Sequence, residues 1–136
     1  MTFASRPLRT VRSYVRRESR ITPAQLRALG ELWPRYGVPD GDALLDWPAV
    51  FGRRAPVLLE IGFGNGEALA AAAAAHPENN YLGIEVHRPG AGSLLRRVEE
   101  EGLTNVRVML GDASEILARR VPDVSLAAVR LVFPDP

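Results

Sequence analysis

The sequence predicts an α/β fold built on a parallel sheet of four strands. Short apolar runs alternate with helix-forming segments from residue 57 onward, the pattern of strands joined by crossover helices. The first run, Val57 to Ile61, passes through three alternate glycines, Gly62, Gly64 and Gly66, into the alanine-rich stretch Ala68–Ala75. That is the strand, turn and helix of half a βαβ unit. An acid also stands at or near the carboxyl end of each of the four runs: Glu60, Glu85, Asp112 and Asp135.

Length and composition bound the rest. The 136 residues suffice for one modest domain, and 46% hydrophobic content is ordinary for a globular core. No apolar run approaches the roughly 20 residues needed to span a bilayer. Residues 1–20 contain no apolar signal region. Cysteine is absent, which excludes disulfide and thiol chemistry, and two histidines alone argue against a structural zinc site. A soluble, cytoplasmic protein without a bound metal is expected.

Three segments follow from the chain order. Residues 1–20 hold Arg6, Arg9, Arg12, Arg16, Arg17 and Arg20 against Glu18, a net +5, so the remainder carries −4 of the overall +1. Such an arm is either a solvated terminus or a phosphate-binding segment that orders on its partner. Residues 21–55 form a helical segment. Thr22 as cap, Pro23 at the first helical position and Gln25 completing a capping box mark a helix start. Leu26, Leu29, Leu32 and Trp33 continue at helical spacing as a core stripe, and Pro34 is expected to end or kink the helix. A short helix within 43–51 is expected to break near Pro48.

Residues 56–136 hold the sheet. Strand 57–61 precedes a helix over about 66–76, and His76-Pro77-Glu78-Asn79-Asn80 turns the chain. Strand 80–85 and the loop His87-Arg88-Pro89-Gly90 lead to a helix over about 89–101, with Leu94, Leu95 and Val98 inward and Gly102 as its stop. Strand 105–110, a helix over about 113–120 and a fourth apolar strand, 126–133, complete the pattern.

The glycine turn alone does not name a ligand. Gly62-x-Gly64-x-Gly66 departs from the dinucleotide fingerprint, because Glu67 occupies the place of its last small residue. No lysine or arginine lies between residues 55 and 87 to meet a phosphate chain. The acids carry more. Taken singly, each suits a cap or a turn, as Asp112 could cap the next helix. Parallel strands gather all four at one sheet edge, where open α/β sheets bind ligands. Carboxylates only accept hydrogen bonds. An adenosyl ligand, with ribose hydroxyls, an amino group and a sulfonium charge, suits them better than a phosphate-rich nucleotide does. S-adenosyl-L-methionine is therefore favoured over NAD or ATP, and an NAD-dependent oxidoreductase is the weaker reading.

Several strings then occur together in order: Glu60-Ile61-Gly62-Phe63-Gly64, Leu82-Gly83-Ile84-Glu85-Val86-His87-Arg88-Pro89-Gly90, Gly102-Leu103-Thr104-Asn105, Gly111-Asp112-Ala113 and Phe133-Pro134-Asp135-Pro136. With the arm string Arg12-Ser13-Tyr14-Val15-Arg16-Arg17 they resemble the bacterial tRNA (guanine-N7)-methyltransferases, which modify a guanine in the tRNA variable loop. The resemblance implies a Rossmann-like class I methyltransferase sheet in strand order 3-2-1-4. It implies S-adenosylmethionine contacts by Glu60, Gly62, Gly64, Glu85 and Asp112, and tRNA as substrate. Asp135 then corresponds to the family's acid at the reaction site, and Arg12, Arg16 and Arg17 would meet RNA. In the family, Pro-Asp-Pro is followed by Trp, a basic segment, further strands and a guanine-binding Thr-Asp motif; this sequence stops at Pro136. Only four of seven strands are thus expected, with strand 126–133 as an apolar edge prone to association. A non-catalytic module that keeps adenosyl-ligand or tRNA affinity is the alternative.

Overall fold

The computed structural model describes residues 20–132. The arm arginines Arg12, Arg16 and Arg17, and Asp135 with its flanking prolines, lie outside the described residues. In chain order the elements are α1 (Pro23–Tyr36), α2 (Trp47–Phe51), β1 (Val57–Ile61), α3 (Glu67–Ala75), β2 (Asn80–Glu85), α4 (Arg88–Glu101), β3 (Val106–Leu110), α5 (Ala113–Arg119) and β4 (Ala128–Leu131). The four strands are parallel, in the order β3-β2-β1-β4. That is the expected order, and β4 is the expected edge.

Alternating residues divide the core into two layers. On one face of the sheet, Leu58, Tyr81, Val106 and Val108 meet α1, α3 and α4 through Ala28, Tyr36, Leu69, Leu94, Leu95 and Val98. On the other face, Val57, Leu59, Leu82, Ile84 and Met109 meet α2 and α5 through Trp47, Phe51 and Ile116. The helices of residues 21–55 therefore help cover both faces. β2, in the middle of the sheet, is buried along its whole length, as a parallel strand covered on both sides should be.

Local chemistry sets the ends of the elements. Thr22 accepts from the Gln25 amide and Gln25 Oε1 accepts from the Thr22 amide, closing the expected capping box. Gly102 ends α4 in the left-handed region. The turn between α3 and β2 is held from outside. Arg53 donates to Asn80 Oδ1 and to the carbonyls of Pro77 and Asn79. The buried Asn105 side chain donates to the carbonyls of Ala73, His76 and Asn79.

Four expectations need correction. Pro34 does not end α1, which runs on to Tyr36. The carbonyl it deprives of a donor belongs to Gly30, and both residues lie on the solvated side of the helix, where water meets the orphan. Leu26 is not core but 50% exposed, since the packed side of α1 runs through Ala28, Leu29, Leu32, Trp33 and Tyr36. Pro48 sits in the first turn of α2 rather than interrupting it, where its missing N–H costs nothing. β4 is shorter than expected and exposed throughout: Val129 is 52% and Leu131 56% exposed, because no described element covers that edge.

Close backbone approach fixes how α4 meets the glycine loop. A Cβ built on Gly90 would lie 2.0 Å from the Gly64 carbonyl oxygen, so only glycine allows this contact. Gly90→Ala should destabilise the fold by about 1–3 kcal/mol in urea denaturation, as overpacking against backbone does. Gly30, on the solvated side of α1, has open space around a built Cβ. Gly30→Ala should stabilise by roughly 0.4–1 kcal/mol. Equal effects at the two positions would contradict this packing.

Candidate functional site

The carboxyl edge of the sheet gathers the β1–α3 loop, the β2–α4 loop and Asp112 after β3. In the first loop Gly62, Gly64 and Gly66 all adopt positive φ, at 75°, 65° and 81°, which L side chains rarely tolerate. The Gly62 amide donates to the Ile84 carbonyl at 2.8 Å and continues the β1–β2 ladder. Gly66 packs against Leu94 so closely that a Cβ would overlap it. Gly64, by contrast, has open space where a Cβ would be. A ligand can lie against the backbone there.

The three acids within the described residues sit in different electrostatic settings. Glu85, at the end of β2, is 8% exposed. Its Oε1 accepts from the Gly64 amide at 2.8 Å, and its Oε2 from the amides of Val86 and His87 at 3.1 and 3.2 Å. The side chain thus joins the two loops that border the site. A carboxylate offers about four lone-pair sites, so roughly one acceptor position remains for a ligand. Asp112 is exposed and caps α5, its Oδ1 accepting from the amides of Ser114 and Glu115. The capping role is realised, and Oδ2 accepts from none of the described residues.

Glu60 differs from both. It is 5% exposed and lies one residue before the end of β1, opposite Gly83 on one side and Arg130 on the other. Its one polar partner among the described residues is the Arg130 guanidinium, at 3.7 Å from Oε1. That is an ion pair without a hydrogen bond. Burial raises the Glu60 carboxyl above the ordinary carboxylate range, and Arg130 lowers it in part. A buried carboxylate this short of donors suits a ligand that brings its own.

Glu60, Gly62, Gly64 and Glu85 are therefore brought together, and Asp112 closes the β3 end of the same edge. Two contacts were missed in the sequence. Glu85 bonds main-chain amides, a role that the loop's need for anchored N–H groups could have suggested. Arg130 stands beside Glu60, as the 3-2-1-4 order with in-register strands would have placed it. A groove of about 270 Å³ also opens at this edge, lined by Arg20, Thr22, Gln25, His87 and Pro89. Arg20, the last residue of the basic arm, thus stands beside the loop after β2.

With this geometry, residues 54–136 match the sequence model of the Methyltransf_4 family, described as "Putative methyltransferase". The chain belongs to this family. It is 60% identical over 130 residues to a tRNA (guanine-N(7)-)-methyltransferase of Alkalilimnicola ehrlichii, covering 94% of this chain and 55% of that protein. It is 55% identical over 131 residues to the enzyme of the same name from Escherichia coli K12, covering 96% of this chain and 55% of that one. The chain thus spans about half the length of the curated relatives it matches. Solved methyltransferases share the fold. An antibiotic-related methyltransferase superposes with a TM-score of 0.54 at 18% identity, covering 66% of this chain and 46% of its own. A SAM-dependent methyltransferase from Thiobacillus denitrificans, solved with S-adenosyl-L-homocysteine, gives 0.50 at 22% identity, covering 87% of this chain and 42% of its own. Among the described residues no helix is long and apolar enough to cross a membrane.

The setting of Glu60 has a pH signature. Its folded pKa is raised, so the folded state holds a proton that the unfolded state releases earlier. Stability is then full below the ordinary carboxylate range and falls as pH rises through the raised value. Glu60→Gln removes that penalty. The variant should melt higher than the parent chain near neutral pH, with the gap closing as pH is lowered into the ordinary carboxylate range. Differential scanning calorimetry across pH 4–8 reads this directly, and a pH-independent gap would contradict the assignment.

Proposed function

We propose that this chain is the S-adenosylmethionine-binding part of a tRNA (guanine-N7)-methyltransferase. The observation that carries the reading is the pairing at one sheet edge of the open Gly64 backbone with buried, acceptor-only carboxylates, in a chain 60% identical to a relative of that name. This set of acceptors suits the cofactor. Glu85 has an acceptor site left for a ribose hydroxyl, Glu60 lacks hydrogen-bond donors, and Asp112 keeps a free oxygen for the base end. When bound, S-adenosylmethionine supplies a methyl group on a sulfonium.

The chain's own residues then bind and orient. Glu85 fixes the glycine loop at the Gly64 amide and holds the ribose; Glu60 offers negative charge to the cationic end of the cofactor. Guanine N7 presents a lone pair and carries no proton, so alignment of the acceptor contributes more to the rate than a general base would. Asp135 is assigned to the guanine side, where a carboxylate can accept from the donor edge or offset the positive charge gained by the purine. The arginine arm supplies phosphate contacts. Its last residue, Arg20, lines a groove with His87 and Pro89 of the loop after β2. Transfer to tRNA N7 is proposed for the whole protein and is read by N7-methylguanosine formation on unmodified tRNA.

Two measurements test the assignments. Glu85→Ala should weaken S-adenosylhomocysteine binding roughly tenfold or more by calorimetry in a folded variant, the scale for a lost bond to a charged group being about 1.5–3 kcal/mol. Unchanged affinity would remove Glu85 from the site. Replacing Arg12, Arg16 and Arg17 together by Ala should flatten the salt dependence of tRNA binding by up to about 0.7–0.9 per lost phosphate contact, with adenosyl-ligand affinity nearly intact. An unaltered salt slope would take the arm out of RNA binding.

A further inference from the structure

We infer that Arg130 is a positioning residue for the candidate site: from the edge strand it keeps the buried Glu60 carboxylate ionised while leaving its lone pairs open to the cationic end of the ligand. The inference rests on the adenosyl-binding reading for its ligand, but not for its electrostatics.

The geometry is asymmetric. The Glu60 side chain is 7% exposed, while that of Arg130 is 64% exposed. The two stand side by side in register on β1 and β4, on the sheet face that carries Leu58 and Gly83. Arg130 thus holds a charge against the buried carboxylate and leaves most of its own guanidinium in water. At 3.7 Å without a hydrogen bond, it offsets burial without occupying the lone pairs of Glu60. Those lone pairs stay available to donors that a ligand brings.

Other charged groups stand on the neighbouring elements, and they are otherwise engaged. On β2, Glu85 is taken up by the amides of Gly64, Val86 and His87. On α3, Glu67 pairs with Arg97 of α4 at 3.9 Å, and Arg97 also donates to the Asn65 carbonyl. His87 and Arg88 belong to the start of α4, and Asp112 faces the first turn of α5. Among the described residues, Arg130 is the cation that makes an ion pair with Glu60.

Removing Arg130 leaves burial unopposed, so Glu60 should take up a proton at higher pH. A protonated Glu60 loses its attraction for a cationic group. The contact needs a positive charge at moderate distance and no bidentate fork, so lysine should serve in place of arginine. A purely structural role for Arg130 as an edge-strand residue would not produce this charge dependence.

The test compares the parent chain, Arg130→Gln and Arg130→Lys, with Glu60 followed by carboxyl ¹³C NMR and assigned through Glu60→Gln. The Glu60 midpoint should rise in Arg130→Gln and return toward the parent value in Arg130→Lys. Affinity for S-adenosylhomocysteine, which lacks the sulfonium but keeps the α-ammonium of the cofactor's amino-acid end, should fall about two- to fivefold in Arg130→Gln at pH values near the Glu60 midpoint, the scale of a partly exposed ion pair. The loss should shrink as pH rises above that midpoint and should be restored by lysine. An unmoved midpoint in Arg130→Gln would overturn the inference. So would an affinity loss independent of pH or not rescued by lysine. Failure of the parent chain to bind S-adenosylhomocysteine, with the midpoint shifting as expected, would overturn the ligand assignment and uphold the Arg130–Glu60 coupling.

Discussion

The site depends on one hydrogen bond, from the Gly64 amide to Glu85. Three residues of the β1–α3 loop lie in the left-handed region, and a glycine-rich loop loses more backbone entropy on ordering than other loops do. Something outside the loop must hold it. Glu85 does so from the end of the neighbouring strand and, by also taking the Val86 and His87 amides, fixes its own loop in the same step. The Gly64 carbonyl is confined in turn by Gly90 at the start of α4. Strand end, glycine loop and helix start therefore form one unit around a single residue, Gly64.

Against that rigid unit, the acids at the sheet edge divide their roles. Glu85 is mostly spent on structure and Asp112 partly so, as the cap of α5. Glu60 is buried and raised in pKa, with a single distant ion pair. Burying a carboxylate with so little compensation costs stability, and such costs gather where a ligand or a reaction uses them. Like charges that would repel in an empty cluster are kept apart here by giving each acid its own partner: amides, a helix N-terminus or an arginine.

Much of this was legible in the residues. The strand runs at 57–61 and 80–85, the capping box at Thr22 and the stop at Gly102 follow from periodicity and local hydrogen-bonding chemistry, and all appear in the structure. The 3-2-1-4 order came from the family resemblance rather than from any local signal. What could not be read depends on tertiary placement. Pro34 is tolerated in α1 because Gly30 faces solvent. Leu26 falls outside the packed stripe because the contact side of α1 is centred on Ala28 and Tyr36. The convergence of acids was legible, but not the division of labour among them, since which amides and which arginine reach each carboxylate is settled only when the loops close.

The Asn105 side chain, just ahead of β3, has a consequence for how the chain folds. It supplies donors to three carbonyls of the α3–β2 turn, at Ala73, His76 and Asn79, some 26 to 32 residues earlier. Until that segment arrives, the turn is held by Arg53 and by the Asn79 amide on the His76 carbonyl alone, and the Ala73 carbonyl lacks the donor that Asn105 brings. The β1–α3–β2 unit is thus not a self-sufficient foldon. Its completion waits on a non-local contact whose loop-closure entropy must be met first, which couples the closing of the α3–β2 turn to the docking of the third strand.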